Sequence, residues 1–297
     1  MDAKHLLVTW ILFVLSVTST GCNRSNDVAS GSGFLEADEV IVSAEATGRV
    51  ESVRFNEGSQ ASEGDTLLII DASRLKLELE SALAGHKVAQ TRLQTAKLQF
   101  EKAKESERFA SSERDRVASL AKTGTATQKQ LDQLEHECAL TALGSRAAQA
   151  NITATEAELT KIKADINRLR RQLQDCYPTS PMNGTITEKH IEKGELLVVG
   201  KPIAKISRLD TLWVKVYLTT GDFAEIELGD KATIDTESGE RQYHGEVVWT
   251  SEEAEFTPKN VQTKKSRANL VYAVKVRVGN ENGRLKIGMP VFVTIEK

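Results

Sequence analysis

The sequence predicts an α+β fold, multidomain and elongated: a small β domain cut in two, an antiparallel coiled-coil α-hairpin inserted at the cut, and a small antiparallel β-barrel after it. Three observations predict it. A glycine triplet occurs twice with the same intervals, as Gly48, Gly58 and Gly64 and again as Gly184, Gly194 and Gly200, within GRVESVRFNEGSQASEGDTLLII and GTITEKHIEKGELLVVGKPIAKI. Between the copies, apolar and small residues recur at alternating three-four spacing, which is the coiled-coil signature. After the second copy come short alternating runs separated by turns, the pattern of a small antiparallel barrel.

Composition supports the same division. A chain of 297 residues has room for two or three modest domains. Hydrophobic residues make up 40% and aromatics only 5%, so much of the mass is read as extended helix rich in Ala, Leu, Glu, Lys and Gln. The net charge of -3 provides neither a basic field for nucleic acid nor an acidic tail. His5, His86, His136, His190 and His244 are scattered without a metal-ligand spacing. No nucleophile elbow, P-loop or paired-carboxylate arrangement occurs, so no enzyme, cofactor or metal is expected.

In chain order, Leu6 to Val17 is an apolar run too short to span a bilayer comfortably, and it fits the core of a signal peptide over residues 1–21. Cys22 follows Gly21, and residues 22–33 are polar and small, which predicts a flexible tether. Residues 34–71 alternate as short strands and form the first half of the β domain. The helical repeat occupies 72–176. Its first seam runs through Leu75, Leu79, Ala82, Ala89, Leu93, Ala96, Phe100, Ala103, Ala110 and Val117. Its second runs through Leu131, Leu134, Cys138, Ala148, Ile152, Leu159, Ile162, Ile166, Leu169 and Leu173. His86, Glu107 and Arg114 interrupt the first seam, and Thr141, Ser145 and Thr155 soften the second, which predicts tight small-residue packing near the middle. No proline precedes Pro178, so nothing breaks either helix by that route.

The tip falls at 122–128, where Gly124 is a natural C-cap and Thr127 a natural N-cap. Each arm would reach roughly 70 Å at 1.5 Å per residue. Residues 177–208 return the second half of the β domain, and 209–297 hold the barrel, with strands expected at TLWVKVYL, KATID, YHGEVVWT, LVYAVKVRV and PVFVTIE. Cys138 and Cys176 are placed on one helix, roughly 57 Å apart at that rise, too far to form a disulfide.

These residues resemble a known family. The split glycine repeat resembles the two halves of a biotinyl/lipoyl domain, and with the inserted hairpin and following barrel the chain resembles the HlyD-type periplasmic adaptors, or membrane fusion proteins, over residues 34–297. GFLEADEVIVSAEATGRVESVRFNEGSQASEGDTLLIID resembles the opening half-motif and PMNGTITEKHIEKGELLVVGKPI the returning half. The six glycines would then form structural turns of the two halves. Arg116, Leu120 and Thr127 have the spacing of the family's hairpin-tip motif, with Thr in place of Ser. The resemblance implies that these three residues contact a TolC-type outer-membrane channel. AEFTPKNVQTKKSRANLVYAVKVRV and LKIGMPVFVTI resemble the barrel of a subgroup that works with ABC transporters. The sequence stops after that last strand, whereas adaptors of RND pumps carry a further domain, so an inner-membrane ABC transporter (permease plus ATPase) is the expected partner. The segment ending at Cys22 resembles a bacterial lipobox, with Ser19 where Leu is usual, and implies a periplasmic lipoprotein anchored to the inner membrane. The resemblance further implies a homo-oligomer, a hexamer.

Other readings are weaker on the residues. A biotin or lipoate carrier needs a modifiable lysine at the end of the first half, where Arg74 stands. An RND adaptor is the alternative within the family. A structural coiled-coil envelope lipoprotein would account for the heptads and Cys22 but not for the glycine repeat or the barrel.

Overall fold

The structure is a computed structural model that describes residues 29–236, 241–256 and 270–296. The signal segment, Cys22 and most of EFTPKNVQT lie outside the described residues. In chain order come β1 (Ala29–Glu36), β2 (Glu39–Ser43), β3 (Gly48–Val53), β4 (Gln60–Ala61) and β5 (Leu68–Ile70). Two helices follow, α1 (Ser73–Lys122) and α2 (Gln128–Gln174). Then come β6 (Gly184–Lys189), β7 (Leu196–Leu197), β8 (Pro202–Ser207), β9 (Thr211–Thr219) and the single turn α3 (Thr220–Phe223). The last strands are β10 (Lys231–Thr236), β11 (Gln242–Thr250), β12 (Glu255–Phe256), β13 (Leu270–Gly279) and β14 (Pro290–Ile295). The chain forms two compact units, one within Met1–Glu39 and Ser207–Lys297, the other Val40–Ile206.

In the first unit, β11, β10, β14, β1, β9 and β13 pair antiparallel in that order, and β13 returns to β11 to close a six-stranded barrel. The short β12 adds to β13. The alternation of TLWVKVYL points Leu212, Val214, Val216 and Leu218 inward, where they are fully buried with Leu35, Ile234, Val276 and Val293. Closure leaves no open edge among the six strands.

The sixth strand corrects the sequence reading. Residues 29–33, expected to be tether, are the start of β1, which pairs with β14 from Ala29 opposite Ile295 to Phe34 opposite Pro290. Residues 34–36 likewise belong to the barrel and not to the split β domain. The Ser-Gly alternation looks like a linker because it has no apolar face, but the glycines serve close packing. A Cβ on Gly33 would lie 2.5 Å from the Lys215 carbonyl oxygen and 2.7 Å from Val214 Cγ2, and one on Gly31 3.1 Å from Val216 Cβ. Only glycine lets β1 lie this tightly against β9.

The second unit contains two sheets, β2-β8-β6-β4 and β5-β3-β7, and every sheet mixes strands from both sides of the hairpin. The two halves are related by a constant offset of 136 positions (48 to 184, 58 to 194, 64 to 200). The buried core obeys the same offset: Val50 and Ile186, Phe55 and Ile191, Ala61 and Leu197, Leu67 and Ile203, Leu68 and Ala204, Ile70 and Ile206. So do the backbone bonds. Gly58 N–H donates to Ile186 O at 2.8 Å and Ile186 N–H to Ser59 O at 2.9 Å; Gly194 N–H donates to Val50 O and Val50 N–H to Glu195 O, both at 2.9 Å. Each half thus supplies the partners the other lacks.

Four of the six repeated glycines make turns of left-handed backbone, with φ of 81° at Gly58, 88° at Gly64, 91° at Gly194 and 86° at Gly200. Gly48 and Gly184 do not make turns; they open β3 and β6. At Gly48 the constraint is contact, since a Cβ there would come within 2.6 Å of Ile70 Cγ2.

The hairpin helices pack along a continuous three-four seam in which Ala89, Ala96, Ala110, Ser145, Ile152, Leu159, Ile166 and Leu169 are buried. Arg92 pairs with Glu158 at 3.3 Å and Lys97 with Glu156 at 3.9 Å across the seam, and these exposed pairs mark the antiparallel register that the buried side chains hold. Cys138 and Cys176 are free. Cys176 lies just past α2 in the core of the β domain, and burial pushes its thiol pKa up.

Gly33→Val should lower the melting temperature of the barrel unit by several degrees, because overpacking of this kind costs about 1–3 kcal/mol. Ser32→Thr, on the outer face, should leave it unchanged. Thermal denaturation followed by circular dichroism checks both, and an unperturbed Gly33→Val protein would return residues 29–33 to the role of tether.

Candidate functional site at the hairpin tip

The β domain sets both ends of the hairpin side by side. Ile70 N–H donates to the Cys176 carbonyl at 2.9 Å, so α1 starts where α2 finishes. The Asp71 carboxylate accepts from the Ser73 hydroxyl at 2.6 Å and from Ser73 N–H at 2.9 Å, satisfying one of the free donors of the first turn. These bonds, the side-chain one foremost, hold the Asp71 carboxyl below the usual carboxylate range. At the other foot, Arg171 bridges Glu45 at 2.9 Å and Asp175 at 3.0 Å. Arg74, at the place where a carrier would hold its lysine, sits on the first turn of α1 and pairs with Glu78 at 2.9 Å.

α1 is 50 residues long, or about 75 Å at 1.5 Å per residue, and so carries the tip far from this base. The turn is built from backbone. Thr125 N–H donates to Leu120 O and Gly124 N–H to Ala121 O, both at 3.0 Å, with Gly124 at φ 74°. This is the Schellman arrangement, which satisfies the last carbonyls of the helix. The Thr123 hydroxyl adds a third bond to Leu120 O at 2.9 Å.

The returning helix opens with a capping box. Gln130 N–H donates to Thr127 Oγ1 at 3.3 Å, and Thr127 N–H donates back to Gln130 Oε1 at 3.0 Å. The Thr127 hydroxyl also donates to Gln130 Oε1 at 3.0 Å. Gln130 was not singled out in the sequence, although its signal was present: Thr followed three residues later by Gln at the head of a helix.

Arg116 and Leu120 are four apart and share one face of α1. The Arg116 side chain is 66% exposed and pairs with Glu113 at 3.1 Å; Leu120 is 42% exposed. Thr127 is exposed at the start of α2. The tip therefore offers a guanidinium fork held by one surface carboxylate, an apolar side chain open to water, and a row of threonine hydroxyls on a turn fixed by main-chain bonds. Such a set suits docking to another surface. Among the described residues, no three His, Cys, Asp or Glu side chains gather as a metal site would, and no helix is long and apolar enough to cross a membrane.

Comparisons with known proteins agree with this architecture. The CzcB-like, barrel-sandwich hybrid domain family matches residues 38–208. A UPF0194 membrane protein of Acidithiobacillus ferridurans is 34% identical over 182 residues, covering 61% of this chain and 52% of that protein, so the chain matches about half the length of this relative. The UPF0194 membrane protein YbhG of Salmonella arizonae is 25% identical over 91% of this chain and 89% of its own length. Among solved structures, MacA from Actinobacillus actinomycetemcomitans aligns with a TM-score of 0.61 at 19% identity, over 91% of this chain and 79% of that one. A MacA–MexA chimera carrying the Pseudomonas aeruginosa MexA α-hairpin aligns with a TM-score of 0.55 at 18% identity, over 91% and 83%. With its interlocked half-domains around an inserted hairpin and its barrel, the chain belongs to the membrane fusion protein family of HlyD-type periplasmic adaptors, through a CzcB-like barrel-sandwich hybrid domain.

Proposed function

We propose that this adaptor is a non-catalytic subunit of a tripartite efflux or secretion machine, linking an inner-membrane ABC transporter to a TolC-type outer-membrane channel. The single observation that carries the reading is the capped hairpin tip, which presents Arg116, Leu120 and Thr127 at the far end of two long helices. The ABC partner rests on the likeness of residues 254–278 and 285–295 to the barrels of that subgroup; ATP hydrolysis by the partner supplies the energy. Cys22 carries the lipid that anchors the chain to the inner membrane from the periplasmic side, and acylation by more than one chain gives a stable hold.

A homo-oligomer, a hexamer, completes the reading, and the hairpin surface supports it. On the face away from the seam α2 bears a second three-four repeat and α1 a scatter of apolar residues among Ser, Thr, Lys and Glu, and all of these are exposed. On α1 this outer face includes Leu77, Ala84, Val88, Leu98 and Phe109, with Leu98 at 60% and Phe109 at 69% exposure. On α2 it runs Leu140, Leu143, Ala147, Ala150, Ala154 and Ala157. The hairpin register puts Leu98 level with Ala154 and Phe109 level with Leu143, so between the two flanks Leu98 meets a small residue and Phe109 a second large apolar side chain. Two different flanks make a head-to-tail contact, the kind that closes into rings.

Arg116→Asp or Thr127→Asp should abolish export in a cell-based assay while the folded protein stays abundant; undiminished export would sink the tip assignment. Cys22→Ala should remove palmitate labelling. A Leu98→Cys, Ala154→Cys variant in a Cys138→Ala background should give disulfide-linked ladders of copies on mild oxidation, and a product that stays monomeric on denaturing gels would rule out this packing. Affinity purification should bring down an ABC permease; recovery of an RND pump in its place would change the inner-membrane partner.

A further inference from the structure

The seam of the hairpin is not uniform along its length. Towards the base, His86 interrupts a series otherwise made of Leu75, Leu79, Ala82, Ala89, Leu93, Ala96 and Phe100, and α2 answers with Ile152, Thr155, Leu159, Ile162, Ile166, Leu169 and Leu173, where the single hydroxyl of Thr155 stands between Ile152 and Leu159. The register marked by Arg92–Glu158 and Lys97–Glu156 puts Leu93 level with Leu159 and Phe100 level with Ile152. Continued outward, it puts Glu107 level with Ser145, Ala110 with Thr141, and Arg114 with Cys138. Beyond these, Val117 stands level with Leu134 and Ala121 with Leu131. Together with Ala103 and Ala148, which stand level just before them, the Glu107, Ala110 and Arg114 layers make four successive layers without a large apolar side chain, and all six residues of those three lie in the seam, half-buried or buried.

The hydrogen bonds of Thr141 and Arg114 run along their own helices, and across the seam Arg114 has the charge attraction of Glu135. The Thr141 hydroxyl donates to Glu137 O and Cys138 O, each at 3.0 Å. The Arg114 guanidinium donates to Ser111 Oγ at 3.3 Å and to the Asp115 carboxylate. These bonds survive separation of the helices. Such layers therefore add little to the adhesion that holds the pair together, which in a seam of this type comes from buried apolar side chains.

We propose that the hairpin contains a built-in point of opening at the Glu107/Ser145 to Arg114/Cys138 layers, so that the distal part of the hairpin loosens as a unit while the basal part stays closed. The Schellman turn and the capping box keep the two distal helices joined at the tip when their seam opens. The device would let the spacing between Arg116 and Leu120 on one helix and Thr127 on the other adapt to a docking surface. This use rests on the tip reading above; the opening itself does not.

Amide hydrogen exchange on the purified full chain tests it without any partner. Amides of 104–121 and 131–147 are expected to exchange about tenfold or more faster than those of 86–100 and 152–166, with a step between Ala103 and Glu107 and a shared opening rate within the distal set. The double variant Glu107→Leu, Arg114→Leu should erase the step, and Thr141→Leu, Ser145→Leu should do the same from the other helix. Uniform protection along the hairpin would overturn the proposal. So would a smooth decline towards the tip without a step, or exchange unchanged in both leucine variants. Loss of export in the tip variants with no exchange step would refute the opening alone, and a step with unimpaired export would refute only the tip reading.

Discussion

The bond from Ile70 N–H to the Cys176 carbonyl ties the last residue of one half-domain to the residue that leads into the other, and the architecture of this unit depends on it. Around it, two half-folds that share an offset of 136 positions exchange strands and core residues, so neither is complete alone. A half-domain of this size has too little apolar surface to hold itself together. The insertion between them runs from Ser73 to Gln174, yet it does not hold the halves apart, because an antiparallel pair of helices delivers its two ends to the same place. The hairpin seam thus relieves the β domain of closing a long flexible loop. In return, the β domain sets the register at which the hairpin starts, through Asp71 on Ser73 and Arg171 on Glu45 and Asp175.

The sequence showed this arrangement well wherever a periodicity carried it. The three-four repeat marked both helices, and the glycine spacing marked both half-domains, because left-handed turns at Gly58, Gly64, Gly194 and Gly200 admit little else. Gly48 and Gly184 shared the spacing for a different reason: both open strands, and Gly48 also leaves room for Ile70. The first barrel strand was illegible. Ser30-Gly31-Ser32-Gly33 has no alternation of apolar side chains to read, and its constraint lies in the carbonyl of Lys215 and the side chains of Val214 and Val216, far away in sequence. At the tip, Arg116, Leu120 and Thr127 were visible as a spacing, but the role of Gln130 emerged only with the hydrogen bonds of the capping box.

Where stiffness and compliance lie along the hairpin follows from which atoms make the bonds. The tip turn is held by main-chain donors and by threonine hydroxyls bonded within three residues, and none of those bonds needs the helices to be in contact. The basal seam is held by side chains that meet across the interface, so it is stiff only while the helices touch. Between them, in the layers at Glu107, Ala110 and Arg114, the Thr141 and Arg114 side chains bond along their own helices, and without large apolar side chains these layers add little adhesion. A hairpin of one even, leucine-rich seam would be more stable, but it would hold its tip at a single spacing.

Arg74 shows how such a framework differs from a carrier built on the same β domain. A carrier's chemistry depends on a lysine at the end of a tight turn, free to swing a cofactor between active sites. In this chain the turn has become the first turn of α1, and the side chain at that place is a guanidinium paired with Glu78. An arginine cannot form the amide that would hold a cofactor, and a helix cannot swing as a side chain does. What the position retains is direction: the strand Leu68–Ile70 leads through Asp71 into a helix about 75 Å long that carries Arg116 and Leu120 near its far end.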